Sequence, residues 1–404
     1  MSVRTCKRCL YSDDHPLGLV IDDEGICSGC RIHEEKDQID WNARWQELEQ
    51  LIAPYRSRDA RNHDCIVPVT GAGDSHFIVH TVVNRLKLKP LLVTHNRYYN
   101  TPLGIRNLAN LRRKFNADIL IQNVNPRSVK KIIRTTLRRL GSFHWPAIAG
   151  QTVFPVQTAV THKIPLIIWG AHQGLEQVGM FSHLHNVEMT RRYRKDHDLM
   201  GLEADDLLST FDNLREEDIW QYRYPSFEDL NTIGVRGIYL GNYMRWDPIA
   251  QHQEMVKLYN YKSARLARTF DIYDHVDDLH YADTHDLIKY KKHGYGKATD
   301  HACREIRHKR ISRKEGLQVA ANYEKSAAWN KDELLQWLQI SEEAFNFTLE
   351  TQSTNINETR DEQPLTEILN HYICNKPNSD IYAGSKRKTI TIGKGYTAED
   401  HENQ

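Results

Sequence analysis

Short apolar runs and longer segments with helical spacing alternate between residue 64 and about residue 172. The apolar runs are rich in β-branched residues, whereas the segments between them repeat apolar positions every three to four residues. Apolar strands separated by helices are typical of a parallel sheet that is covered on both faces. The pattern therefore predicts an α/β fold with a doubly wound parallel sheet. Predicted strands are 66–69, 91–94, 119–122 and 166–169, and predicted helices are 76–86, 103–115, 127–140 and 152–161.

The pattern changes on both sides of this stretch. Cysteines mark the first forty residues, and apolar positions with helical spacing followed by a polar run then predict a helix and a linker. After residue 172 the chain is mainly helical, which suggests a substrate or partner region, and its polar end predicts a partly disordered tail. The predicted ranges are 1–40, 41–62, 63–172, 173–345 and 346–404.

Composition places the chain among ordinary globular proteins. It has 404 residues, 40% of them hydrophobic, and a formal net charge of +1. A charge this close to zero disfavours nucleic acid as the main partner. The N-terminal residues are charged and lack the apolar core of a signal peptide, and no window has the ~20 apolar residues of a membrane span. We expect a soluble, cytoplasmic protein with no membrane span.

Four of the seven cysteines form two tight pairs near the N-terminus. Cys6-x2-Cys9 is followed after seventeen residues by Cys27-x2-Cys30, the spacing of a double zinc knuckle. Disulfides are not expected in a cytosolic protein. Four thiolates leave no open coordination position, so the predicted Zn²⁺ is structural. The alternative is a set of four ordinary buried cysteines.

A glycine-rich turn follows the first predicted strand. Its residues are Thr70, Gly71, Ala72, Gly73, Asp74 and Ser75, and a helical pattern begins directly after them. Small residues allow backbone N–H groups to approach an anion, and a helix N-terminus adds partial positive charge. Ser75 adds a hydroxyl donor, and Asp74 can act on a phosphate only through Mg²⁺. The turn predicts a phosphate site, although a plain strand-to-helix turn has the same composition.

Longer motifs extend beyond this turn. They are Pro90–Asn96, Leu103–Leu108, Phe154–Gln157, Ile164–Gly170, Tyr239–Tyr243 with Trp246-Asp247, and Lys292–Asp300. Together with the cysteine pairs, they resemble the N-acetyl sugar amidotransferase family of bacterial surface-polysaccharide and flagellin-glycan biosynthesis. The resemblance covers about residues 1–340.

The resemblance implies a PP-loop ATP pyrophosphatase fold of the HUP-like type, with an N-terminal zinc module and a helical C-terminal region. It implies ATP with Mg²⁺ as the activating reagent, adenylylation of the oxygen of a sugar N-acetyl group, and attack by ammonia to leave an acetamidino group. The implied substrate is a nucleotide-activated or nonulosonic N-acetyl sugar. Because no glutaminase cysteine–histidine pair is evident, the implied ammonia source is a separate glutaminase with a barrel-type channel subunit.

The resemblance also assigns roles to residues. Asp74 and Glu176 are the implied catalytic residues, although Glu176 could equally be a solvated acid on a helix. The implied ATP and pyrophosphate site comprises Thr70, Gly71, Ala72, Gly73, Asp74, Ser75, Thr94, His95 and Asn96. The implied sugar contacts are Lys292, Tyr295, Lys297, Thr299 and Asp300, and the implied metal ligands are Cys6, Cys9, Cys27 and Cys30.

The turn departs from the family pattern Ser-Gly-Gly-x-Asp-Ser. Thr70 replaces the first Ser, Ala72 replaces the second Gly, and Gly73 stands where Lys is frequent. Alanine at position 72 would cost about 1–2 kcal/mol if that residue required a positive φ. Two alternatives stay open: a degenerate paralogue that serves as a binding or assembly subunit, and a tRNA-modifying PP-loop enzyme. Basic clusters at 127–139 and 191–195 favour the second, whereas the absence of a catalytic cysteine pair opposes it.

Overall fold

A computed structural model describes residues 3–57, 61–98, 100–278 and 280–353. These residues form two compact units. The first comprises the described parts of 1–39, 171–186 and 262–353, and the second comprises those of 40–170 and 187–261. The sequence pattern predicts the ranges 1–40, 41–62, 63–172 and 173–345. Each compact unit instead combines segments from more than one of these ranges.

The second unit is built on a parallel sheet. Its strands are β1 (Cys65–Pro68), β2 (Pro90–His95), β3 (Asp118–Gln122), β4 (Leu166–Trp169) and β5 (Arg236–Tyr239). They lie in the order β3-β2-β1-β4-β5, and every registered pair is parallel. The parallel α/β sheet predicted from the sequence is confirmed.

The helices of the second unit lie before, between and after these strands. They are α2 (Trp41–Ile52), α3 (Gly73–His80), α4 (Pro102–Phe115), α5 (Pro126–Leu140), α6 (Trp145–His162), α7 (Arg191–Tyr193), α8 (Ala204–Thr210), α9 (Glu216–Ile219), α10 (Phe227–Ile233) and α11 (Pro248–Tyr259). Ile66 of β1 and Ile167 of β4 pack in one core with Val156 and Ala159 of α6. Val67 is fully buried and, by strand alternation, points to the opposite face, where α3 packs against β1. The sheet is covered on both faces.

Pro68 ends the central strand β1, a position where a proline would be expected to interrupt pairing. The next residue, Val69, donates its N–H to the carbonyl of Val93 in β2 at 2.9 Å. Because successive residues of a strand face opposite neighbours, the missing N–H of Pro68 faces β4. The registered pair between β1 and β4 is Ile66 with Ile167, two residues before the proline. Pro68 is therefore accommodated because its missing N–H faces β4 at a position beyond the registered pair of β1 with β4.

Two elements differ from the sequence prediction. α6 begins at Trp145 instead of residue 152, because Pro146 lies in its first turn, where the missing N–H costs nothing. Pro155 lies inside the same helix, which continues past it. β5 was not predicted, since Gly237 interrupts a run of only four residues. A Cβ at Gly237 would lie 2.8 Å from the Cβ of Met189, so glycine allows that close approach.

The first unit contains the cysteine segment and the C-terminal helices. Its helices are α1 (Ser28–Glu35), α12 (Asp286–His293), α13 (Lys297–Arg307), α14 (Arg313–Glu324), α15 (Lys331–Leu338) and α16 (Glu342–Gln352). One apolar cluster includes Leu10 and Tyr11 of the cysteine segment, Ala302 and Ile306 of α13, and Val319 of α14. The cysteine segment is thus part of a larger core.

α16 extends past the predicted start of the tail at residue 346. The rest of the predicted tail, 354–404, lies outside the described residues. Among the described residues, none of the helices combines the length and apolar character needed to cross a bilayer.

Candidate functional site

The four paired cysteines of the first unit lie together. One sulfur from each of Cys6, Cys9, Cys27 and Cys30 lies within 4.8 Å of every other, and all four residues are buried. Cys9 Sγ and Cys27 Sγ are 3.5 Å apart. Four converging buried sulfurs fit a tetrahedral thiolate site and can hold a metal ion. The sequence prediction that these cysteines form one cluster is confirmed.

The backbone around each pair forms a knuckle. Short antiparallel bridges join Thr5 to Ser12 and Ile21 to Cys27. Cys6 Sγ accepts hydrogen bonds from the backbone N–H groups of Cys9 at 3.4 Å and Cys27 at 3.3 Å. N–H donors directed at a sulfur stabilise its anionic form, the form that binds metal. The local fold is therefore suited to metal ligation.

In the second unit, the glycine-rich turn connects β1 to α3. Gly71 has φ of +98°, and a Cβ there would lie 3.0 Å from the carbonyl oxygen of Gly104 and 3.2 Å from Leu108 Cβ. Both the backbone conformation and the close approach of α4 require glycine at this position.

Ala72 lies in a different conformation from its neighbour. Its φ of −71° and ψ of 173° are those of an extended N-cap residue, which any side chain adopts. His76 supports this residue from the first turns of α3, with Nδ1 3.2 Å from the Ala72 carbonyl oxygen. Burial lowers the pKa of His76 to about 4, so the ring is neutral at neutral pH. The alanine therefore carries none of the left-handed strain considered above.

This difference between adjacent residues gives a paired prediction. Gly71→Ala is expected to destabilise the protein by at least about 1–2 kcal/mol, the cost of a left-handed alanine. Ala72→Gly is expected to cost about 1 kcal/mol or less, through backbone entropy alone. Urea unfolding of the two variants beside the parent measures both values. Equal stability of the two variants would contradict the geometry described for the turn.

The hydroxyl groups of the turn are used within it. Ser75 Oγ accepts the N–H of Thr70 at 3.0 Å, and Thr70 Oγ1 accepts the N–H of Ala72 at 3.2 Å. These bonds fix the loop, and threonine serves as well as serine because the contact is made by its hydroxyl oxygen. The first N–H groups of α3, beginning at Gly73, have no carbonyl partner within their own helix. The turn thus presents a fixed helix N-terminus, the kind of group that binds anions.

Asp74 has a partner that sequence reasoning missed. His252 of α11 places Nε2 2.7 Å from Asp74 Oδ1, and the His252 ring is buried whereas Asp74 is about half exposed. A Cβ at Gly73 would lie 2.5 Å from Cδ2 of this ring. Glycine at position 73 therefore makes room for an imidazole beside the carboxylate. No local pattern could reveal this contact, which joins residues 178 positions apart.

The residues at the end of β2 are buried in a polar network of their own. His95 Nδ1 lies 2.8 Å from Gln122 Oε1, and Asn96 Oδ1 accepts the Tyr98 N–H and an Asn100 amide hydrogen. Thr94, His95 and Asn96 are each at most 3% exposed. These contacts fix the chain beyond the strand, and a role toward adenosine stays a prediction.

Glu176 lies in the first unit, within the short π-helical segment Gly174–Val178. Lys36, just after α1, places Nζ 2.5 Å from Glu176 Oε2, and its side chain is only 2% exposed. A π-helical segment often marks a functional position. The acid predicted either as catalytic or as solvated is in fact paired with a buried lysine, and its catalytic role stays a prediction.

This pair also allows a stability prediction. Glu176→Gln is expected to cost about 3 kcal/mol, because it leaves a buried ammonium group without its carboxylate. Lys36→Met combined with Glu176→Gln is expected to recover most of that loss. Urea unfolding of the two single variants and the double variant measures the coupling. Additive losses would mean that the pair does not stabilise the fold.

The segment Lys292–Asp300 makes contacts within the first unit. Asp300 Oδ1 accepts the Tyr11 hydroxyl at 2.7 Å and a Gln177 amide hydrogen at 3.1 Å, and Lys289 pairs with Oδ2. Burial opposes ionisation of this carboxyl, but the charge and hydrogen bond of Lys289, the Tyr11 hydroxyl and His301 together outweigh it and lower the pKa of Asp300. The Tyr295 hydroxyl lies 2.8 Å from Nε2 of His15.

The other predicted sugar contacts in this segment either contact neighbouring acidic side chains or are partly buried. Thr299 Oγ1 donates to Glu324 at 2.5 Å, and Lys297 Nζ lies 3.3 Å from Asp274 Oδ2. Lys292 is partly buried, and burial lowers its pKa. This motif therefore connects α13 to the cysteine segment and to α14, while contact with a sugar stays a prediction.

The basic cluster at 191–195 is neutralised by acids of the second unit. Its four basic residues all form ion pairs with nearby carboxylates. The pairs are Arg191 with Glu203 at 2.7 Å, Arg192 with Asp196 at 3.5 Å, Arg194 with Asp198 at 2.6 Å, and Lys195 with Asp206 at 2.7 Å. Basic side chains that are already paired with carboxylates are less available to phosphate groups, so this cluster gives little support to nucleic-acid binding.

The chain is similar to a protein family in sequence and also to solved structures. Residues 265–389 match the family model described as LPS biosynthesis protein WbpG-like, C-terminal domain. No curated protein matches the chain in sequence. Among solved structures, the NH3-dependent NAD synthetase from Campylobacter jejuni subsp. jejuni is 12% identical, with 48% of this chain and 95% of that chain covered and a TM-score of 0.28.

NMN synthetase from Francisella tularensis is 11% identical, with 55% of this chain and 93% of that chain covered and a TM-score of 0.28. The family match over residues 265–389, by contrast, is a likeness in sequence. The match of residues 265–389 to the WbpG-like LPS biosynthesis family model confirms the resemblance drawn from the motifs.

Proposed function

We propose that this protein is an ATP-dependent amidotransferase of bacterial surface-polysaccharide biosynthesis. It converts the N-acetyl group of a nucleotide-activated or nonulosonic sugar into an acetamidino group. The observation that carries the proposal is the turn between β1 and α3, where glycine at position 71 is required and Asp74 is held by His252. The WbpG-like match supports the class of substrate, because the family is described by LPS biosynthesis.

In this proposal the turn holds the β- and γ-phosphates of ATP. The N–H groups at the start of α3 face the pyrophosphate, and Ser75 Oγ can still donate its hydrogen after accepting from Thr70. His252 occupies Oδ1 of Asp74, which leaves Oδ2 for Mg²⁺. A hydrogen bond that orients a ligating carboxylate is the usual support of a metal ligand.

The proposed reaction balances without another reagent. The acetyl oxygen attacks the α-phosphorus of ATP, and pyrophosphate leaves. Ammonia then attacks the acetyl carbon and loses a proton, and AMP leaves with the former acetyl oxygen. AMP thus turns a poor leaving oxygen into a good one, and the chain supplies positioning and charge neutralisation.

Glu176 is the proposed group that orients ammonia or takes up its proton. Its pairing with Lys36 through Oε2 leaves Oε1 for this role. The proposed ammonia source is a separate glutaminase with a barrel-type channel subunit, and the cysteine cluster holds a structural Zn²⁺. The neutralised cluster at 191–195 favours this proposal over a tRNA-modifying enzyme.

Calorimetric titration with ATP and Mg²⁺ tests the proposal. The zinc-loaded protein should bind Mg·ATP saturably, alone or in the presence of candidate N-acetyl sugars, and Asp74→Ala should lose this binding. A folded parent protein that binds no Mg·ATP under either condition would overturn the proposal. That result would favour a paralogue that serves as a binding or assembly subunit.

A further inference from the structure

Arg307, the last residue of α13, reaches two features of the first unit at once. Its Nη1 donates to the carbonyl oxygens of Glu176 at 3.0 Å and Gln177 at 2.7 Å. Its Nη2 lies 3.8 Å from Cys27 Sγ and 4.0 Å from Cys9 Sγ. The side chain is almost fully buried, so these contacts are made out of water.

The backbone is shaped around this side chain. A Cβ at Gly29, between the second pair of cysteines, would lie 2.3 Å from Arg307 Nη2 and 2.7 Å from the Gln177 carbonyl oxygen. A Cβ at Gly179, which has φ of +66°, would lie 2.5 Å from the Ser28 carbonyl oxygen. Two glycines therefore allow the start of α1 and the segment 174–179 to approach closely. Ser28 Oγ adds a hydrogen bond to the Val178 carbonyl at 2.6 Å.

The charges explain why an arginine lies here. Four thiolates around a divalent cation carry a net negative charge, and thiolates are the form that a metal binds. Burial disfavours an uncompensated guanidinium, and the sulfurs of Cys9 and Cys27 beside Nη2 supply the compensating negative charge when they are metal-bound thiolates. The planar guanidinium can direct one nitrogen at sulfur and the other at two carbonyl oxygens, which a lysine ammonium cannot do.

We propose that Arg307 is a positioning residue that couples metal occupancy of the four-cysteine cluster to the conformation of segment 174–180, which carries Glu176. With metal bound, the negative cluster holds the guanidinium, and the guanidinium holds the carbonyls of residues 176 and 177. Without metal the buried charge loses its counter-charge, and the segment loses the two hydrogen bonds that Arg307 donates to it. The inference rests on contacts within the first unit and goes beyond the proposed function.

Hydrogen exchange followed by mass spectrometry tests this coupling. The reporters are amides of the segment with hydrogen bonds, namely Leu175 and Glu176 to the His172 carbonyl and Met180 to the Gly174 carbonyl. Removal of Zn²⁺ and the Arg307→Met variant at saturating Zn²⁺ are each expected to speed their exchange about 10- to 100-fold, the range for losing a charge-assisted hydrogen bond. Arg307→Lys is expected to give an intermediate rate.

Arg313→Met is the matched control. Arg313 Nε donates to the carbonyls of Cys6 at 3.3 Å and Cys9 at 3.1 Å, so it contacts the same knuckle without contacting segment 174–180. In the Arg313→Met variant, the amide hydrogens of segment 174–180 should exchange at the parent rate. The proposal is overturned if Arg307→Met at full zinc content exchanges like the parent, or if Arg313→Met loosens the segment equally.

Two further readouts keep the result interpretable. Zinc content is measured for each variant, and peptides from β2 in the second unit should keep their parent exchange rates. If Arg307→Met does not fold, Arg307→Lys carries the test, and a parent-like rate in that variant overturns the proposal. Because exchange is measured without ATP or sugar, a failed coupling leaves the test of the proposed function unaffected.

Discussion

Cys27→Ser is expected to abolish stoichiometric Zn²⁺ binding and to destabilise the cysteine segment. Structural zinc supplies about 10–16 kcal/mol of apparent binding free energy in isolated zinc-finger peptides, and this energy is folding energy. Here the segment also shares an apolar core with α13 and α14, through Leu10, Tyr11 and Ile306. We therefore expect thermal unfolding of the first unit to begin at a clearly lower temperature. Zinc analysis and calorimetric melting of the purified variant measure both effects.

Cys65→Ala is the matched control for this prediction. Cys65 is a fully buried cysteine of β1, in the second unit, and is not part of the four-sulfur cluster. Its replacement should leave the zinc content at one per chain, with only the loss of stability expected for a small core change. Full zinc content and an unchanged melting profile in Cys27→Ser would mean that the cluster is not a metal site.

Asp74→Asn is expected to reduce Mg·ATP binding below detection, because it removes the carboxylate charge that would hold Mg²⁺ in the proposed site. His252→Ala is expected to weaken Mg·ATP binding by about 10- to 100-fold, the usual effect of losing a group that orients a metal ligand. His252→Gln should recover most of that loss, because its amide nitrogen can replace Nε2 as the donor to Asp74. Titration of each variant with ATP at a series of Mg²⁺ concentrations separates the metal effect from the nucleotide effect.

His80→Ala controls for packing between the same two helices. His80 of α3 contacts the Tyr259 hydroxyl at the end of α11, with 2.6 Å between Nδ1 and the oxygen, and it does not contact the turn. This variant should bind Mg·ATP like the parent. If His252→Ala also binds like the parent, the hydrogen bond to Asp74 has no role in the site.

Features with a local signal were predictable from the sequence. The pairs Cys6-x2-Cys9 and Cys27-x2-Cys30 place their sulfurs on two turns, and the structure brings all four together. Strands β1 to β4 are apolar runs that the helical segments separate clearly. β5 escaped prediction because Gly237 breaks a short run, and α6 begins at Trp145, before its predicted start at residue 152, with Pro146 in its first turn.

Features that depend on contacts across the sequence could not be predicted. The need for φ above zero at Gly71 but not at Ala72 follows from the path of the chain, which the residue types alone do not specify. The partners of Asp74 and Glu176 lie 178 and 140 positions away. Asp300, predicted as a sugar contact, accepts its hydrogen bonds from Tyr11 and Gln177, which no periodicity relates to it.

Transfer of oxygen from the substrate to AMP tests the proposed function most directly. The zinc-loaded protein is incubated with Mg·ATP, ammonium and an N-acetyl sugar whose acetyl oxygen is ¹⁸O, and AMP and the sugar are analysed by mass spectrometry. We expect AMP that carries the ¹⁸O, a sugar in which NH replaces the acetyl oxygen, and neither product with Asp74→Asn. AMP without ¹⁸O, formed while the sugar keeps its labelled acetyl group, would contradict activation of the N-acetyl group.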